Sequence, residues 1–193
     1  AGLLPMRVQG EGVNRIISVR APHGKHMATS DAAKALLPAA LQGMNLGELP
    51  PVLINNGPLW WCVPLADESA VRTLQPAQAD IAALNLATQS VGLAVFARAD
   101  AGDYQLVVRA FCPADNIPED PVTGSANAAI AAYLHQCGAL SAIGNPYTAS
   151  QGRELGRDGL VQVRVDSEGE VWIGGKTQTV VRGSLGWGSL GAQ

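Results

Sequence analysis

The chain has 193 residues, of which 47% are hydrophobic and 15% charged, with a mean hydropathy of +0.12. This composition is typical of a folded globular protein of one large or two small domains, and it excludes an intrinsically disordered chain. The net charge of −3 with scattered arginines argues against a nucleic-acid partner. No apolar run approaches the roughly 18 residues that span a membrane. Since no signal-peptide pattern opens the chain either, we expect a cytoplasmic protein.

The first half of the chain predicts short strands and two helices. Strands are expected over 15–20, 51–54 and 59–65, and helices over 30–42 and 76–84. Thr29, Ser30 and Asp31 are the capping candidates of the first helix, Gly43 ends it, and Pro38 should bend it. The two later strands are joined by the Asn-Asn-Gly-Pro sequence at 55–58, which is typical of a tight turn.

The second half predicts a hairpin, a buried helix and a strand meander. Strands over 91–97 and 104–111 flank the turn sequence Ala101-Gly102-Asp103. After a helix that starts at Gly124, strands are expected over 160–165, 171–173 and 177–181, with turns at 166–169 and 174–175. Mainly antiparallel strands with one buried helix indicate the α+β class.

The three cysteines predict neither a disulfide framework nor a metal site. Cys62, Cys112 and Cys137 are odd in number, far apart, and without Cys-x-x-Cys or Cys/His ligand spacing. We therefore expect packed, reduced thiols and no bound metal.

The segment from Glu119 to Asn127 carries the clearest chemical signal in the sequence. The apolar residues that follow it show the three-and-four spacing of a helix with one buried face: Ala126, Ala129, Ile130, Tyr133, Leu134 and Cys137. Pro121 stops the helix from extending backwards, and Thr123 or Ser125 can cap it. The first backbone N–H groups of such a helix lack partners and face its positive dipole end, so they favour a small anion such as a carboxylate or phosphate.

Asp120 lies on the rim of this predicted anion site. An acid beside a bound anion is suited to donate a proton or a hydrogen bond at neutral pH. The alternative interpretation is a capped structural helix with surface acids. A serine hydrolase is not indicated, because Ser125 is not in a Gly-x-Ser-x-Gly elbow.

Three segments together closely resemble the PhzF-like phenazine biosynthesis family of isomerases. They are Arg-Ala-Phe-Cys-Pro at 109–113, Glu-Asp-Pro-Val-Thr-Gly-Ser-Ala at 119–126, and Gln-Gly-Arg-Glu-Leu-Gly-Arg at 151–157. Residues 56–60, 171–175 and 180–185 are also similar to the family. The resemblance spans essentially the whole chain but only about the last two thirds of a family member.

The resemblance implies the diaminopimelate epimerase-like fold, in which each of two domains is a barrel or roll of mainly antiparallel strands around a central helix. Residues 1–20 would then be the tail of an N-terminal domain otherwise absent from this chain. Residues 21–193 would be the complete C-terminal domain, its last strand returning to the first. The active site would lie in the cleft between the domains, and relatives suggest a homodimer.

The resemblance also implies roles for individual residues. Asp120 and Ser125 are expected to be catalytic, and Gly124, Ser125 and Ala126 to bind the substrate carboxylate. The loop at 151–157 is expected to close over the cleft. Epimerase relatives carry a cysteine in the position of Ser125, and serine is a poor base towards a carbon acid at its normal pKa.

The family's general base has no counterpart in this sequence. It is a glutamate of the first domain, accompanied by a Gly-His motif, whereas the early Glu11 stands in an unrelated Gly-Glu-Gly turn. The expected reaction is cofactor-independent proton transfer on a small carboxylate-bearing metabolite. We expect an N-terminal domain, for example on a separate fragment, to complete the active site. The alternatives are a non-catalytic binding or assembly subunit and an amino-acid racemase or epimerase.

Overall fold

The computed structural model describes residues 3–99 and 102–184. Ala101 of the predicted hairpin turn and residues 185–193 at the end of the predicted second domain lie outside these ranges. Within them, no helix has the length and apolar character needed to cross a membrane.

Eleven strands and five α-helices are formed by the described residues. The strands are β1 Met6–Gln9, β2 Ile16–Arg20, β3 Lys25–Met27, β4 Val52–Asn55, β5 Leu59–Pro64, β6 Gly92–Arg98, β7 Leu106–Cys112, β8 Ile117–Asp120, β9 Tyr147–Gln151, β10 Gly159–Val165 and β11 Val171–Lys176. The helices are α1 Asp31–Ala40, α2 Glu68–Arg72, α3 Gln78–Thr88, α4 Gly124–Gln136 and α5 Leu140–Ile143. Short 3₁₀ turns span Gly12–Asn14, Pro113–Asp115 and Arg153–Leu155.

All the described strands belong to one sheet in the order β1-β2-β11-β10-β9-β7-β6-β5-β4-β3, with β8 beside β7. The β5–β6 and β7–β9 pairs are parallel, and the other pairs are antiparallel. A large, mainly antiparallel sheet with few helices confirms the predicted α+β class.

The two faces of this sheet support two separate apolar cores. Because successive side chains of a strand point to opposite faces, neighbouring residues enter different cores. Trp60 packs in the core that contains α4, whereas Trp61 packs in the core beneath α1, α2 and α3. Both rings are 1% exposed, so core packing accounts for both tryptophans.

The helix α4 is buried on all sides, and the expectation of a single buried face was wrong. Every residue from Ala126 to Leu134 is buried, and α4 contacts β4, β5, β6, β10 and β11. The many alanines permit this close approach: a Cβ added to Gly24 would lie 2.5 Å from the Cβ of Ala132. The sheet therefore surrounds α4, which fixes the position of its first turn.

The end of the predicted meander also needs correction. Residues 177–181 form no strand, and Gly174 and Gly175 lie inside β11 instead of in a turn. They pair with Ser18 and Ile17 of β2. A Cβ on Gly174 would overlap the Ser18 hydroxyl oxygen, so this glycine serves close strand packing, which a sequence pattern does not separate from a turn.

Candidate active site

The strand β8 delivers Asp120 to the first turn of α4. It is held against β7 with Ala110 opposite Asp120, and the pairing shifts register before Cys112 and Ile117. Asn116, with a φ of 60°, makes the left-handed turn that reverses the chain into β8. This turn places the acidic pair Glu119-Asp120 directly ahead of the helix.

A buried ion pair anchors β8 from the opposite face of β7. The Arg109 guanidinium donates to both carboxylate oxygens of Glu119 at 2.9 and 2.7 Å. It also donates to the carbonyl oxygens of Val71 and Leu74 next to α2. Because both charged side chains are only 8% exposed, the pair fixes the backbone beside Asp120.

The first turn of α4 presents free backbone donors. Thr123 is the N-cap residue, but its side chain makes no capping hydrogen bond. In the part of the chain that the structure describes, no group accepts a hydrogen bond from the backbone N–H of Gly124, Ser125 or Ala126. The predicted substrate-binding residues therefore place three backbone donors at the positive end of a 13-residue helix.

Gly124 leaves this set of donors open to a ligand. It is exposed, and a Cβ built on it would meet nothing closer than Cγ2 of Ile173 at 3.9 Å. The fold alone would therefore accept an alanine here. The missing side chain is consistent with close approach of a ligand to the backbone.

Ser125 is held from the strand side by two hydrogen bonds. Trp60 donates its indole N–H to the Ser125 hydroxyl oxygen at 3.1 Å. Asn56, in the β4–β5 turn and 2% exposed, donates its side-chain N–H to the Ser125 carbonyl oxygen at 2.8 Å. Sequence reasoning noted both residues but assigned neither to the site, because their contact with Ser125 crosses more than 60 residues.

Asp120 is half-buried at the mouth of this turn. Its Oδ2 accepts the hydroxyl hydrogen bond of Thr123 at 2.6 Å. The predicted site residues Asp120, Gly124, Ser125 and Ala126 thus lie together around one short connection. That proximity follows from their closeness in sequence.

Gln151 is the main site residue that sequence reasoning did not single out. Its fully buried side chain accepts from the Thr123 backbone N–H and from Asn127, and donates to the Asp120 carbonyl and the Thr123 hydroxyl. The Gln-Gly sequence at 151–152 belongs to a segment that resembles the family, but the sequence predicts only a closing loop there.

The loop at 151–157 is tied down at several points in this structure. Gly152 has a φ of +89°, and a Cβ there would overlap the Pro121 carbonyl. Glu154 forms an ion pair with Arg72 at 3.0 Å, and Arg153 donates to the Tyr104 hydroxyl at 3.1 Å. The loop therefore braces the connection between β8 and α4.

The nearest thiol is unsuited to act as a nucleophile. Burial, together with the charges of Asp120 and Asp115, raises the pKa of Cys112 to about 12, so the group is a neutral thiol at physiological pH. Residues 3–99 and 102–184 contain no cluster of three or more His, Cys, Asp or Glu side chains that would hold a metal ion.

The sequence profile of the PhzC-PhzF family, described as phenazine biosynthesis-like protein, matches residues 1–183. The chain belongs to the PhzC-PhzF family. Of the segments that carry the resemblance, 119–126 includes the start of α4, and 151–157 begins with Gln151, which is hydrogen-bonded to Thr123 and Asp120 just before the helix.

Several curated proteins are similar to this chain over part of their own length. Antisense-enhancing sequence 1 of Schizosaccharomyces pombe is 29% identical over 95% of this chain and 64% of its own length. An uncharacterized isomerase of Deinococcus radiodurans is 39% identical over 56% of this chain and 36% of its own length. The uncharacterized isomerase YddE of Escherichia coli K12 is 36% identical over 53% of this chain and 35% of its own length. The chain thus covers less than two thirds of each of these relatives.

Solved structures show the same fold. A predicted epimerase from Pseudomonas aeruginosa aligns with a TM-score of 0.72 at 24% identity, covering 96% of this chain and 64% of that one. A PhzF-family phenazine biosynthesis protein of Bacillus anthracis aligns with a TM-score of 0.68 at 21% identity, covering 90% and 62%. These likenesses support the arrangement of the sheet around α4.

Proposed function

We propose that this protein is an isomerase that moves a proton on a small carboxylate-bearing substrate without a cofactor. The observation that carries the proposal is the set of free N–H groups at the start of α4, whose N-cap residue Thr123 is hydrogen-bonded to the carboxyl group of Asp120. The names of the relatives support it, since several are called isomerases and one solved structure is described as an epimerase.

The proposed chemistry divides the site into a binding part and a proton-transfer part. The backbone N–H groups of Gly124, Ser125 and Ala126 hold the substrate carboxylate, and the Ser125 hydroxyl adds a donor. Asp120 takes up or returns a proton at a carbon of the bound molecule. One proton leaves a carbon and one returns to a carbon, so substrate and product are isomers and no oxidant or reductant is needed.

We further propose that an N-terminal domain outside this chain supplies the opposite wall of the cleft and its general base, in a diaminopimelate epimerase-like arrangement. The β1–β2 end of the sheet supports this. Met6 and Val8 on β1 are 61% and 62% exposed, and they share a face with Val19 and Ile17, their partners on β2. Exposed apolar residues on one face of a sheet are typical of a surface that another domain covers. The chain also spans only 64% of its fission yeast relative.

Incorporation of solvent deuterium tests the proposed activity. The protein, together with the N-terminal domain proposed to complete the cleft, is incubated in D₂O with a panel of small carboxylic acids that carry an activated C–H bond, and exchange is read by mass spectrometry. We expect exchange by the wild type and at least a 100-fold loss in Asp120→Asn, the order expected for removal of a general acid or base. The matched control is Asp115→Asn, which changes an exposed acid five residues earlier in the chain. Equal exchange by Asp120→Asn and the wild type would refute the role of Asp120.

The non-catalytic alternative uses the same anion site and makes a different prediction. A binding or assembly subunit retains carboxylate affinity at α4 but shows no exchange with any acid of the panel. An amino-acid racemase would instead exchange the α-proton of an amino acid and invert its configuration. Serine at position 125 disfavours that second outcome, because its hydroxyl is a weak base at neutral pH.

A further inference from the structure

Asp120 lies at the end of a directional chain of hydrogen bonds that begins inside α4. Asn127, fully buried, donates its side-chain N–H to Oε1 of Gln151 at 2.9 Å. Gln151 donates through Nε2 to the Thr123 hydroxyl oxygen at 2.9 Å. Thr123 and Oδ2 of Asp120 are 2.6 Å apart.

The donor and the acceptor in these hydrogen bonds are fixed by two backbone groups, one of which can only donate and the other only accept. The backbone N–H of Thr123 can only donate, and it meets Oε1 of Gln151 at 3.0 Å. The backbone carbonyl of Asp120 can only accept, and it meets Nε2 of Gln151 at 2.9 Å. The Gln151 amide therefore has one allowed orientation, and its second N–H must point at the Thr123 hydroxyl.

The hydroxyl of Thr123 already accepts a hydrogen bond from Gln151, so its own proton is free to go to Asp120. An ionised carboxylate only accepts, and the short distance of 2.6 Å to Oδ2 is typical of a hydroxyl donating to a charged oxygen. Oδ2 is thus occupied as an acceptor, whereas Oδ1 is not engaged by this chain of donors.

We propose that Gln151 and Thr123 are positioning residues that dedicate Oδ2 of Asp120 to an internal hydrogen bond and leave Oδ1 as the oxygen that exchanges a proton with the substrate. This inference rests on the proposed function for its catalytic meaning. The hydrogen-bond relay itself is measurable without any substrate.

The other titratable groups near Asp120 do not compete with Thr123 for Oδ2. Cys112 on β7 remains a neutral thiol, because burial and the neighbouring acids raise its pKa to about 12. Glu119 on β8 is paired with Arg109 on β7. In the bracing loop, Arg153 is paired with Asp158, and Arg157, close to Gly152, is unchanged in every variant below.

The test compares two substitutions of Thr123 in the intact protein. Thr123→Val removes the hydroxyl at nearly constant volume, whereas Thr123→Ser keeps it. The carboxyl carbon of Asp120 is observed at neutral pH by ¹³C NMR of protein labelled at the aspartate carboxyl carbon, and Asp120→Asn identifies the resonance. Because a hydrogen bond to Oδ2 changes the shielding of this carbon, we expect its resonance to move in Thr123→Val. Thr123→Ser should keep the wild-type chemical shift.

A carboxyl chemical shift in Thr123→Val equal to that of the wild type would overturn the proposal, and so would an equal displacement of the resonance in Thr123→Ser. A second measurement decides the matter if the valine variant does not fold. In the wild type, the Thr123 hydroxyl proton should give a resolved ¹H resonance that exchanges slowly with water, and its absence counts against the relay. Neither readout uses a substrate. The hydrogen bonds can therefore be confirmed even if the deuterium exchange test fails, and they can be refuted even if that test succeeds.

Discussion

The indole N–H of Trp60 donates a hydrogen bond to the hydroxyl oxygen of Ser125 at 3.1 Å. A buried side chain of β5 thereby fixes the second residue of α4 from behind. The hydroxyl oxygen serves as the acceptor in this bond, so the hydroxyl proton of Ser125 is left to donate towards a ligand.

Ser125→Ala should weaken both the fold and the site. Trp60 would lose its acceptor, and an unsatisfied buried donor costs about 1–3 kcal/mol of unfolding free energy, measurable by urea denaturation. Trp61 offers a matched control, since it donates to the Thr88 hydroxyl at 3.2 Å in the other core. Thr88→Ala should lower stability in a similar way without changing carboxylate affinity. Equal effects of the two variants on carboxylate affinity would show that Ser125 does not contribute to carboxylate binding.

The buried pair of Arg109 and Glu119 predicts a large loss of stability. Glu119→Gln leaves an uncompensated guanidinium in a position that is 8% exposed, and we expect a loss of about 3–5 kcal/mol in unfolding free energy. Chemical denaturation followed by tryptophan fluorescence measures this quantity. Asp158→Asn, which breaks the exposed pair with Arg153, should leave the denaturation midpoint nearly unchanged. A similarly small effect of Glu119→Gln would mean that the pair does not anchor β8.

The three cysteines should differ sharply in reactivity. Burial raises the pKa of Cys62 far above the normal range, and burial with the nearby acids raises that of Cys112 to about 12. Cys137, at the end of α4, is exposed. Because the thiolate is the reactive form, iodoacetamide at pH 7.5 should modify Cys137 alone in the folded protein and all three thiols in urea. Peptide mass spectrometry would contradict this if Cys62 or Cys112 reacted at the native rate of Cys137.

Local patterns in the sequence predicted much of the fold. The paired strands β4 and β5, the hairpin of β6 and β7, and the start of α4 at Gly124 were expected from alternation, turn residues and helix spacing. The cap of α1 was also expected, and Ser30 indeed accepts from the backbone N–H of Ala33. These features depend on neighbours in the chain, which is why sequence alone reveals them.

The remaining features depend on distant partners. The short strand β3 pairs with β4, and β9 pairs with β7 and β10. Their own periodicity is too brief to predict a strand. Gln151 reaches Thr123 across 28 residues, so its place at the site required the fold. The burial of α4 on all sides likewise reflects strands from both ends of the sheet, which the three-and-four spacing of its larger apolar residues did not show.

Substitution of Gly124 tests most directly whether the start of α4 binds a carboxylate. A Cβ at this position has room in the fold, with the nearest atom 3.9 Å away, so Gly124→Ala should not lower the unfolding temperature. The exposed Gly183, with nothing within 4 Å of a built Cβ, provides the control Gly183→Ala.

The measurement is a titration of the intact ¹⁵N-labelled protein with acetate, followed through the amide resonances of residues 124–126. We predict saturable shifts of these amides in the wild type and in Gly183→Ala, and affinity at least tenfold weaker in Gly124→Ala at unchanged stability. Shifts that are absent in the wild type, or identical in Gly124→Ala, would contradict a carboxylate site at the start of α4.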